Sequence, residues 1–261
     1  MTIADAHDAF LFDLDGVLYR DDQPVPMAAE AVARLRGAGK RLAFVTNNSS
    51  RTPESVAARL TSVGIPAGAQ EVETSAMATA ELLGGRGVRT AFVVGEEGVR
   101  RALADGGIAL VKASDSVPDV VVVGLDRAAD YAKLAAASLF VERGAALVAT
   151  NADASYPAPE GLLPGAGAIL AAVTTATGAV AEVVGKPHAP LLRAALDRAG
   201  GGRPLVIGDR LDTDVEGAIA LGWHSLLVLT GVTTRADLET SLARPTYVGE
   251  DLLALFSSGI G

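Results

Sequence analysis

Cysteine is absent from the 261-residue sequence. This absence excludes disulfide bonds, thiolate nucleophiles and zinc sites with Cys ligands, and it is compatible with a reducing compartment. The amino-terminal stretch MTIADAHDAF also lacks a basic region followed by a long apolar core, which a secretory signal would have. We therefore expect a cytoplasmic protein.

Clustered positive charge and long apolar runs are missing too. The formal net charge is −9 and no basic stripe is present, which argues against a nucleic-acid partner. A membrane span needs roughly 18 to 20 apolar residues. The nearest stretch, AIALGWHSLLVLTGV, is interrupted by Gly222, His224 and Ser225. We expect neither a nucleic acid nor a membrane as partner, and an anionic substrate would need positive charge supplied locally.

Short apolar runs are abundant and alternate with Ala-, Leu-, Arg- and Glu-rich segments. The runs are FLFDLD, RLAFVTNN, RTAFVVGE, DVVVVGLD, ALVATNAD, PLVIGD and HSLLVLTG. Of the helical segments, MAAEAVARLRGAGK ends near Gly39, and TPESVAARLTSVG has Thr52 as N-cap, Pro53 at the first helical position and Gly64 at its end. The alternation predicts an α/β fold, a Rossmann-like parallel sheet with helices on both faces.

The interval between Thr46 and Lys186 is much longer than one crossover helix requires, and it has strand and helix signals of its own. We predict an inserted second domain, with joints near GGRG (84–87) and TATGAV (175–180). The predicted core comprises residues 1–83 and 181–261, and the insert comprises 84–180. The tail FSSGIG is predicted to fray.

Polar residues follow almost every predicted strand, and ligands bind at the carboxyl ends of strands in open α/β sheets. The first case is the most unusual, because Asp13 and Asp15 are like charges two residues apart after an apolar run. If the strand continued through both, their side chains would leave the same face about 7 Å apart. A pair of aspartates that simply cap a turn before Gly16 is the alternative to a functional pair.

Four separated motifs occur in the order DLDGVL (13–18), VTNNSS (45–50), GKPHAP (185–190) and VIGDRLDTD (206–214). In these the chain resembles the haloacid dehalogenase-like (HAD) phosphohydrolases. Their order and spacing resemble the type IIA capped branch, which includes 4-nitrophenylphosphatase-like and glycerol-phosphate or phosphoglycolate phosphatases. The resemblance implies a HAD core with an inserted α/β cap of the C2 type, a lid that excludes water and selects the leaving group.

The resemblance implies roles for residues of the first three motifs. Asp13 would be the nucleophile that forms an aspartyl-phosphate, and Asp15 the general acid and base. Thr46 would donate its hydroxyl to the phosphoryl oxygens, beside an anion-binding nest at Asn47 and Asn48, and Lys186 would neutralise developing charge and restrain Asp13. For TNN, a turn with a left-handed Asn remains the alternative.

Three convergent carboxylates and a phosphate dianion imply a divalent cation, since each close pair would otherwise cost roughly 4 kcal/mol at an effective dielectric constant near 20. Oxygen ligands without Cys favour Mg²⁺. By resemblance Asp13, Asp209 and the backbone carbonyl of Asp15 would hold it. Asp214 would bind the ion directly, or it would orient a metal-bound water or Lys186. Asp212 is ambiguous, because the helix dipole alone favours an Asp at the start of a helix.

Residues after the strands of the insert are candidates for substrate contacts, with ordinary loop structure as the alternative. They are Asp126, Arg127, Asn151, Asp153 and Tyr156. The three histidines are too scattered to predict a metal cluster. We expect His224 near the core and His188 at a helix start.

The predicted activity is Mg²⁺-dependent hydrolysis of a small phosphate ester such as glycerol 3-phosphate or 2-phosphoglycolate. Nucleoside or sugar monophosphates and pyridoxal phosphate are alternative substrates. The fold also supports dehalogenases, phosphonate hydrolases and phosphomutases; Asp15 argues against the first two, and a mutase would share it. A non-catalytic metabolite sensor is a third alternative. A Val- and Leu-rich lid surface could support a homodimer.

Overall fold

The computed structural model describes residues 1–20, 23–158 and 160–257. The strands are β1 (Ala9–Phe12), β2 (Tyr19–Arg20), β3 (Gln23–Pro24), β4 (Arg41–Thr46), β5 (Val72–Thr74), β6 (Thr90–Val94), β7 (Ala109–Leu110), β8 (Val120–Val123), β9 (Ala146–Ala149), β10 (Ser155–Ala158), β11 (Gly161–Pro164), β12 (Glu182–Val183), β13 (Pro204–Gly208), β14 (His224–Val228) and β15 (Tyr247–Gly249).

The α-helices are α1 (Ile3–Ala6), α2 (Ala28–Gly37), α3 (Pro53–Ser62), α4 (Ser75–Gly85), α5 (Glu97–Asp105), α6 (Tyr131–Glu142), α7 (Ala166–Thr177), α8 (Ala189–Arg198), α9 (Glu216–Leu221) and α10 (Arg235–Thr240). Short 3₁₀ turns occur at Ala69–Glu71 and Leu252–Phe256, and a π-helical turn at Leu211–Val215. No helix in the described ranges is both long and apolar enough to cross a membrane.

The chain forms two compact units. The first unit comprises Met1–Thr46, Pro53–Glu73 and Lys186–Gly261, and the second comprises Asn47–Thr52 and Thr74–Gly185. The predicted insert, 84–180, lies inside the second unit, and its boundaries stay a prediction.

The first unit contains a six-stranded sheet in the order β15-β14-β13-β1-β4-β5. β1 is parallel to both of its neighbours, β13 and β4. Because the strands β1, β4 and β13 are buried on both faces, they are continuous apolar runs. Phe10, Phe12 and Phe44 are fully buried in this core. Helix α8 packs on β1 and β4, and Lys186, just before this helix, reaches Asp13 at the carboxyl end of β1.

The second unit has its own five-stranded sheet, in the order β12-β9-β8-β6-β7, with parallel pairing throughout. The run Val120–Val123 forms its central strand and is completely buried. Phe92 and Phe140 pack with 5.2 Å between ring centroids and bring α6 against this sheet. An antiparallel hairpin, β10-β11, is attached to the unit.

The predicted α/β fold with parallel sheets is confirmed, and all seven predicted strands are present. The helices at Ala28–Gly37 and Pro53–Ser62 are confirmed as well. Strand β1 is shorter than predicted: it ends at Phe12, so Asp13 and Asp15 lie in the turn that follows and not on one face of the strand. Of the tail, residues 258–261 lie outside the described residues, and Phe256 ends a 3₁₀ turn.

The histidines differ from expectation. His224 is exposed at the start of β14 and not part of the core. It still meets buried His7, whose Nε2 lies 2.9 Å from His224 Nδ1. His188 is the N-cap residue of α8, but its side chain makes no capping hydrogen bond.

Candidate active site

The carboxyl ends of three adjacent strands bring the main candidate residues together. Phe12 is in register with Ile207 of β13 and with Phe44 of β4. One or two residues further along each strand are Asp13, Asp209 and Thr46. The ladder continues through the Asp13 N–H, which donates to the Ile207 carbonyl at 2.8 Å. Parallel pairing therefore gathers a nucleophile candidate, a carboxylate and a hydroxyl at one edge of the sheet.

Lys186, three residues before α8, bridges two carboxylates. Its Nζ donates to Asp13 Oδ1 at 2.5 Å and to Asp214 Oδ1 at 2.6 Å. The side chains of Lys186 and Asp214 are almost fully buried, whereas 14% of the Asp13 side chain is exposed. Charge-assisted bonds of this kind fix both carboxylates in position.

Oxygens of Asp13, Asp209 and Asp214 all lie within 4.8 Å of one another. Burial raises the pKa of Asp13 against the opposing effect of the Lys186 ammonium, and burial with the Asp214 charge raises the pKa of Asp209 to about 6. Burial alone would lower the pKa of Lys186, but Asp13 and Asp214 raise it, so Lys186 remains an ammonium. One ammonium faces three carboxylates, which leaves excess negative charge in a buried cluster.

Glycines create the space for these carboxylates. A Cβ at Gly208 would collide with the Asp214 side chain, and a Cβ at Gly16 or Gly231 would collide with that of Asp209. Gly16 also has φ +81°, a left-handed conformation that favours glycine. The DLDG and GDR motifs therefore place glycine where the carboxylates approach the backbone.

Asp15 is not among the carboxylates of this cluster. The residue is exposed, and its metal contact through the backbone carbonyl stays a prediction. Thr46 is buried at the end of β4. Asp212 lies at a helix start as expected, in the first turn of the π-helical segment that leads into α9. Arg210 pairs with Asp212 at 2.7 Å and lowers its pKa.

The segment Asn47–Thr52 lies in the second unit, where its contacts are extensive. The Asn47 carbonyl accepts hydrogen bonds from Ser75 Oγ at 2.6 Å and Asn151 Nδ2 at 2.7 Å. Asn48 Oδ1 accepts from the backbone N–H of Ser50 at 3.0 Å. Met27 is the single non-glycine residue with positive φ among those described, so the alternative of a left-handed Asn in TNN is wrong.

The candidate residues of the second unit fall into three groups. Asn151 is buried, and its Oδ1 accepts from the Asp153 N–H at 3.1 Å, while Asn47 Nδ2 donates to Asp153 Oδ2 at 3.2 Å. Asp126 is buried and paired with Lys133 at 2.6 Å.

The third group joins exposed Arg127 to half-buried Tyr156. Arg127 Nη1 lies 2.7 Å from Glu96 Oε2, and its Nε donates to the Tyr156 hydroxyl at 3.1 Å. The fold therefore joins Arg127 and Tyr156 directly, as it joins Asn151 and Asp153.

Comparison with known proteins agrees with this geometry. A family model described as haloacid dehalogenase-like hydrolase matches residues 10–109, and a HAD-hydrolase-like model matches 183–255. A D-glycerol 3-phosphate phosphatase of Mycobacterium tuberculosis is 42% identical over 97% of this chain and 72% of that protein. The chain belongs to the haloacid dehalogenase-like hydrolases.

One further relative of this HAD hydrolase and one solved structure are informative. An acid sugar phosphatase of Staphylococcus saprophyticus is 39% identical over 94% of this chain and 95% of that protein. A crystal structure of the M. tuberculosis glycerol phosphate phosphatase in complex with magnesium has a TM-score of 0.92 and covers 98% of this chain and 78% of that one. The predicted membership of the family is confirmed.

Sequence reasoning missed several residues that surround the site of this HAD hydrolase. The loop after β14 contributes Thr230, Gly231 and Val232, with the Val232 N–H donating to Asp209 Oδ2 at 2.7 Å. The sequence does contain a signal for this loop, because the run HSLLVLTG ends in Thr-Gly, and the other predicted strands also end in polar residues. Ser75 and Glu96 were also missed as partners of Asn47 and Arg127.

Proposed function

We propose that this HAD hydrolase is a Mg²⁺-dependent phosphomonoesterase that acts on a small phosphorylated metabolite through an aspartyl-phosphate. The observation that carries the proposal is the Lys186 ammonium held between Asp13 and Asp214, with Asp209 beside them, at the carboxyl edge of a parallel sheet. A nucleophilic carboxylate, a fixed cation and an oxygen-rich cluster are what phosphoryl transfer to an aspartate requires.

The donor set fits a hard divalent cation. Three carboxylates exceed the one ammonium that faces them, and oxygen ligands without sulfur suit Mg²⁺. Asp13, Asp209 and the Asp15 carbonyl would hold the ion, with Asp214 contacting it directly or through water. When bound, the ion neutralises the carboxylates and the charge of the phosphoryl group. The M. tuberculosis relative has been crystallised with magnesium, which supports this choice.

The chemistry assigned to the chain's own residues has two steps. An Asp13 carboxylate oxygen bonds to phosphorus while the ester P–O bond breaks, and Asp15 gives its proton to the departing alkoxide. A water then attacks phosphorus and gives a proton to Asp15, and the Asp13–phosphorus bond breaks to release inorganic phosphate. Lys186 holds Asp13 in place during both steps. Thr46 and the backbone at Asn47 and Asn48 would bind the phosphoryl oxygens.

Glycerol 3-phosphate is the first candidate substrate, supported by the 42%-identical D-glycerol 3-phosphate phosphatase, with 2-phosphoglycolate as a close chemical analogue. The acid sugar phosphatase relative favours a sugar phosphate as the second candidate. Arg127 and Tyr156 are the proposed leaving-group contacts because Arg127 is exposed and its guanidinium is hydrogen-bonded to the hydroxyl of half-buried Tyr156. The substrate contacts predicted for Asp126 and Asn151, and a homodimer, stay predictions.

The test is release of inorganic phosphate from a panel of small esters, with Mg²⁺ or with EDTA, for wild type and Asp13→Asn. We expect metal-dependent release that the variant lacks while its thermal unfolding remains cooperative. The ranking of kcat/KM across glycerol, glycolate, sugar, nucleoside and pyridoxal esters then identifies the substrate class. Unchanged turnover by Asp13→Asn would refute the aspartyl-phosphate mechanism, and transfer to a sugar hydroxyl instead of water would indicate a mutase.

A further inference from the structure

The loop after β14 contacts both Asp209 and the turn that carries Asp15. The Val232 N–H donates to Asp209 Oδ2 at 2.7 Å, and the Thr233 N–H donates to the Asp209 carbonyl at 3.1 Å. From the same loop, Thr230 Oγ1 donates to the Gly16 carbonyl at 2.7 Å. Three residues thus connect the strand end that carries Asp209 to the turn that carries Asp15.

The Gly16 peptide groups are fixed on both sides. The Gly16 N–H donates to the Tyr19 carbonyl at 2.8 Å, and the Gly16 carbonyl accepts from Thr230. In a trans peptide the C=O and N–H point in opposite directions, so the bond to Tyr19 directs the Asp15 carbonyl away from Tyr19. The bond from Thr230 prevents the next peptide from rotating.

Close packing leaves this arrangement little freedom. Both Gly16 and Gly231 contact the Asp209 side chain so closely that neither has room for a Cβ. The spacing between the Asp15–Gly16 turn and Asp209 is therefore set by the loop, with the Thr230 hydroxyl as its side-chain link to Gly16.

We propose that Thr230 is a positioning residue for the divalent-cation site, because it holds the Asp15–Gly16 turn at a fixed distance from Asp209. In this role Thr230 acts through the Gly16 peptide. The inference rests on the proposed function only in that the Asp13–Asp209–Asp214 cluster binds a divalent cation.

The experiment compares Thr230→Val with wild type in Mn²⁺ binding, followed by electron paramagnetic resonance without substrate. Valine keeps the shape and removes the donor. We expect the Mn²⁺ dissociation constant to rise about 10-fold, the size of effect seen when a group supporting metal ligands is lost. The Mg²⁺ concentration for half-maximal activity should rise in parallel, while kcat at saturating Mg²⁺ changes little.

Two further variants make the result specific. Thr230→Ser retains a hydroxyl donor and should recover most of the Mn²⁺ affinity. Thr240→Val is the matched control, because its hydroxyl also donates to backbone carbonyls, Ala236 and Asp237, but at the exposed end of α10. Thermal unfolding temperatures of all variants show whether each variant folds. If Thr230→Val does not fold, the Mn²⁺ affinity of Thr230→Ser decides whether the hydroxyl donor is what matters.

The proposal is overturned if Thr230→Val binds Mn²⁺ as tightly as Thr240→Val, if Thr230→Ser is as weak as Thr230→Val, or if the wild type binds no Mn²⁺ at all. Failure of the proposed function has a different signature. Wild type that binds Mn²⁺ but hydrolyses no ester would remove the phosphatase assignment, and the Mn²⁺ affinities of the variants would still decide the role of Thr230.

Discussion

At the scale of single residues, the fold places a titratable pair far along the sheet from the carboxylate cluster. His7 precedes β1 and His224 starts β14, so both belong to the amino ends of these strands. His7 Nδ1 lies 2.9 Å from the Ile3 carbonyl, which can only accept, so Nδ1 carries a proton. In neutral His7 the Nε2 atom therefore accepts from His224 Nδ1.

This pair predicts a loss of stability in mild acid. Burial lowers the pKa of His7; the positive charge of Arg203 and the pair with His224 act in the same direction, and the Ile3 hydrogen bond and Asp8 oppose it. An unfolded His binds its proton near pH 6.5. As the pH falls through 6.5 towards the lower native pKa, the unfolded state binds more protons, so the free energy of unfolding decreases.

Urea unfolding between pH 7.5 and 5.5 measures this effect. His7→Asn removes the titrating ring and keeps a donor near the Nδ1 position, so its stability should depend less on pH than that of wild type. His188→Asn, at an exposed position before α8, should keep the wild-type dependence. Equal pH dependence in wild type and His7→Asn would show that His7 does not titrate in this range.

At the scale of elements, the network around Asn47 gives Asn151 a different role from a substrate contact. Asn151 is buried, its Nδ2 holds the Asn47 carbonyl, and its Oδ1 accepts from the Asp153 N–H. The Asn47 carbonyl shares its peptide plane with the Asn48 N–H, one of the donors proposed for the phosphoryl group. Fixing this carbonyl therefore orients the loop after β4.

We expect Asn151→Ala to lower kcat/KM for every phosphate ester by a similar factor, since the phosphoryl group is common to all of them. Loss of the amide also leaves buried partners unsatisfied, which costs about 1–3 kcal/mol in the free energy of unfolding. Tyr156→Phe, by contrast, should change the ratio of kcat/KM between glycerol 3-phosphate and a sugar phosphate. If Asn151→Ala changed the ratio of kcat/KM between glycerol 3-phosphate and a sugar phosphate, Asn151 would be a leaving-group contact after all.

The elements that the sequence predicted are those with strong physical signals. Central strands such as β8 and β13 are buried on both faces and are read from apolar runs alone. The edge strands β7 and β12 are two residues long and largely exposed, and the antiparallel hairpin β10-β11 has little apolar pattern, so nothing in their composition distinguished them from loops.

The residues of the site also differ in how well the sequence predicts them. Asp13, Lys186 and Asp209 follow strands or precede a helix in recognisable motifs, and their convergence follows from parallel pairing. The bond from Thr230 to Gly16 joins residues 214 positions apart, and a backbone carbonyl has no sequence signature. Partners of this kind depend on tertiary packing, which local patterns do not encode.

At the scale of the whole molecule, the second unit includes more than the predicted insert. Helix α4 buries Ala76, Ala80 and Leu83 and packs on α5, and strand β12 pairs with β9. All of these elements lie between Thr74 and Gly185, but α4 and β12 fall largely or wholly outside residues 84–180.

We therefore expect the isolated fragment 74–185 to unfold cooperatively, whereas fragment 84–180 should not. The shorter fragment loses most of α4 and all of β12, which exposes the apolar face of α5 and one edge of the sheet. Thermal unfolding followed by circular dichroism compares them. A cooperative transition of equal midpoint in both fragments would support the boundaries predicted from sequence and contradict this expectation.

The segment Asn47–Thr52 has a consequence for exchanging specificity between related enzymes. Ser49 Oγ lies 2.9 Å from Thr150 Oγ1, and a Cβ at Gly98 would collide with the backbone of this segment. A chimera that transplants only the contiguous stretch 74–185 from another phosphatase would set a foreign surface against these six residues. The unit that can be exchanged is therefore discontinuous. A chimera must take Asn47–Thr52 from the same donor enzyme as residues 74–185.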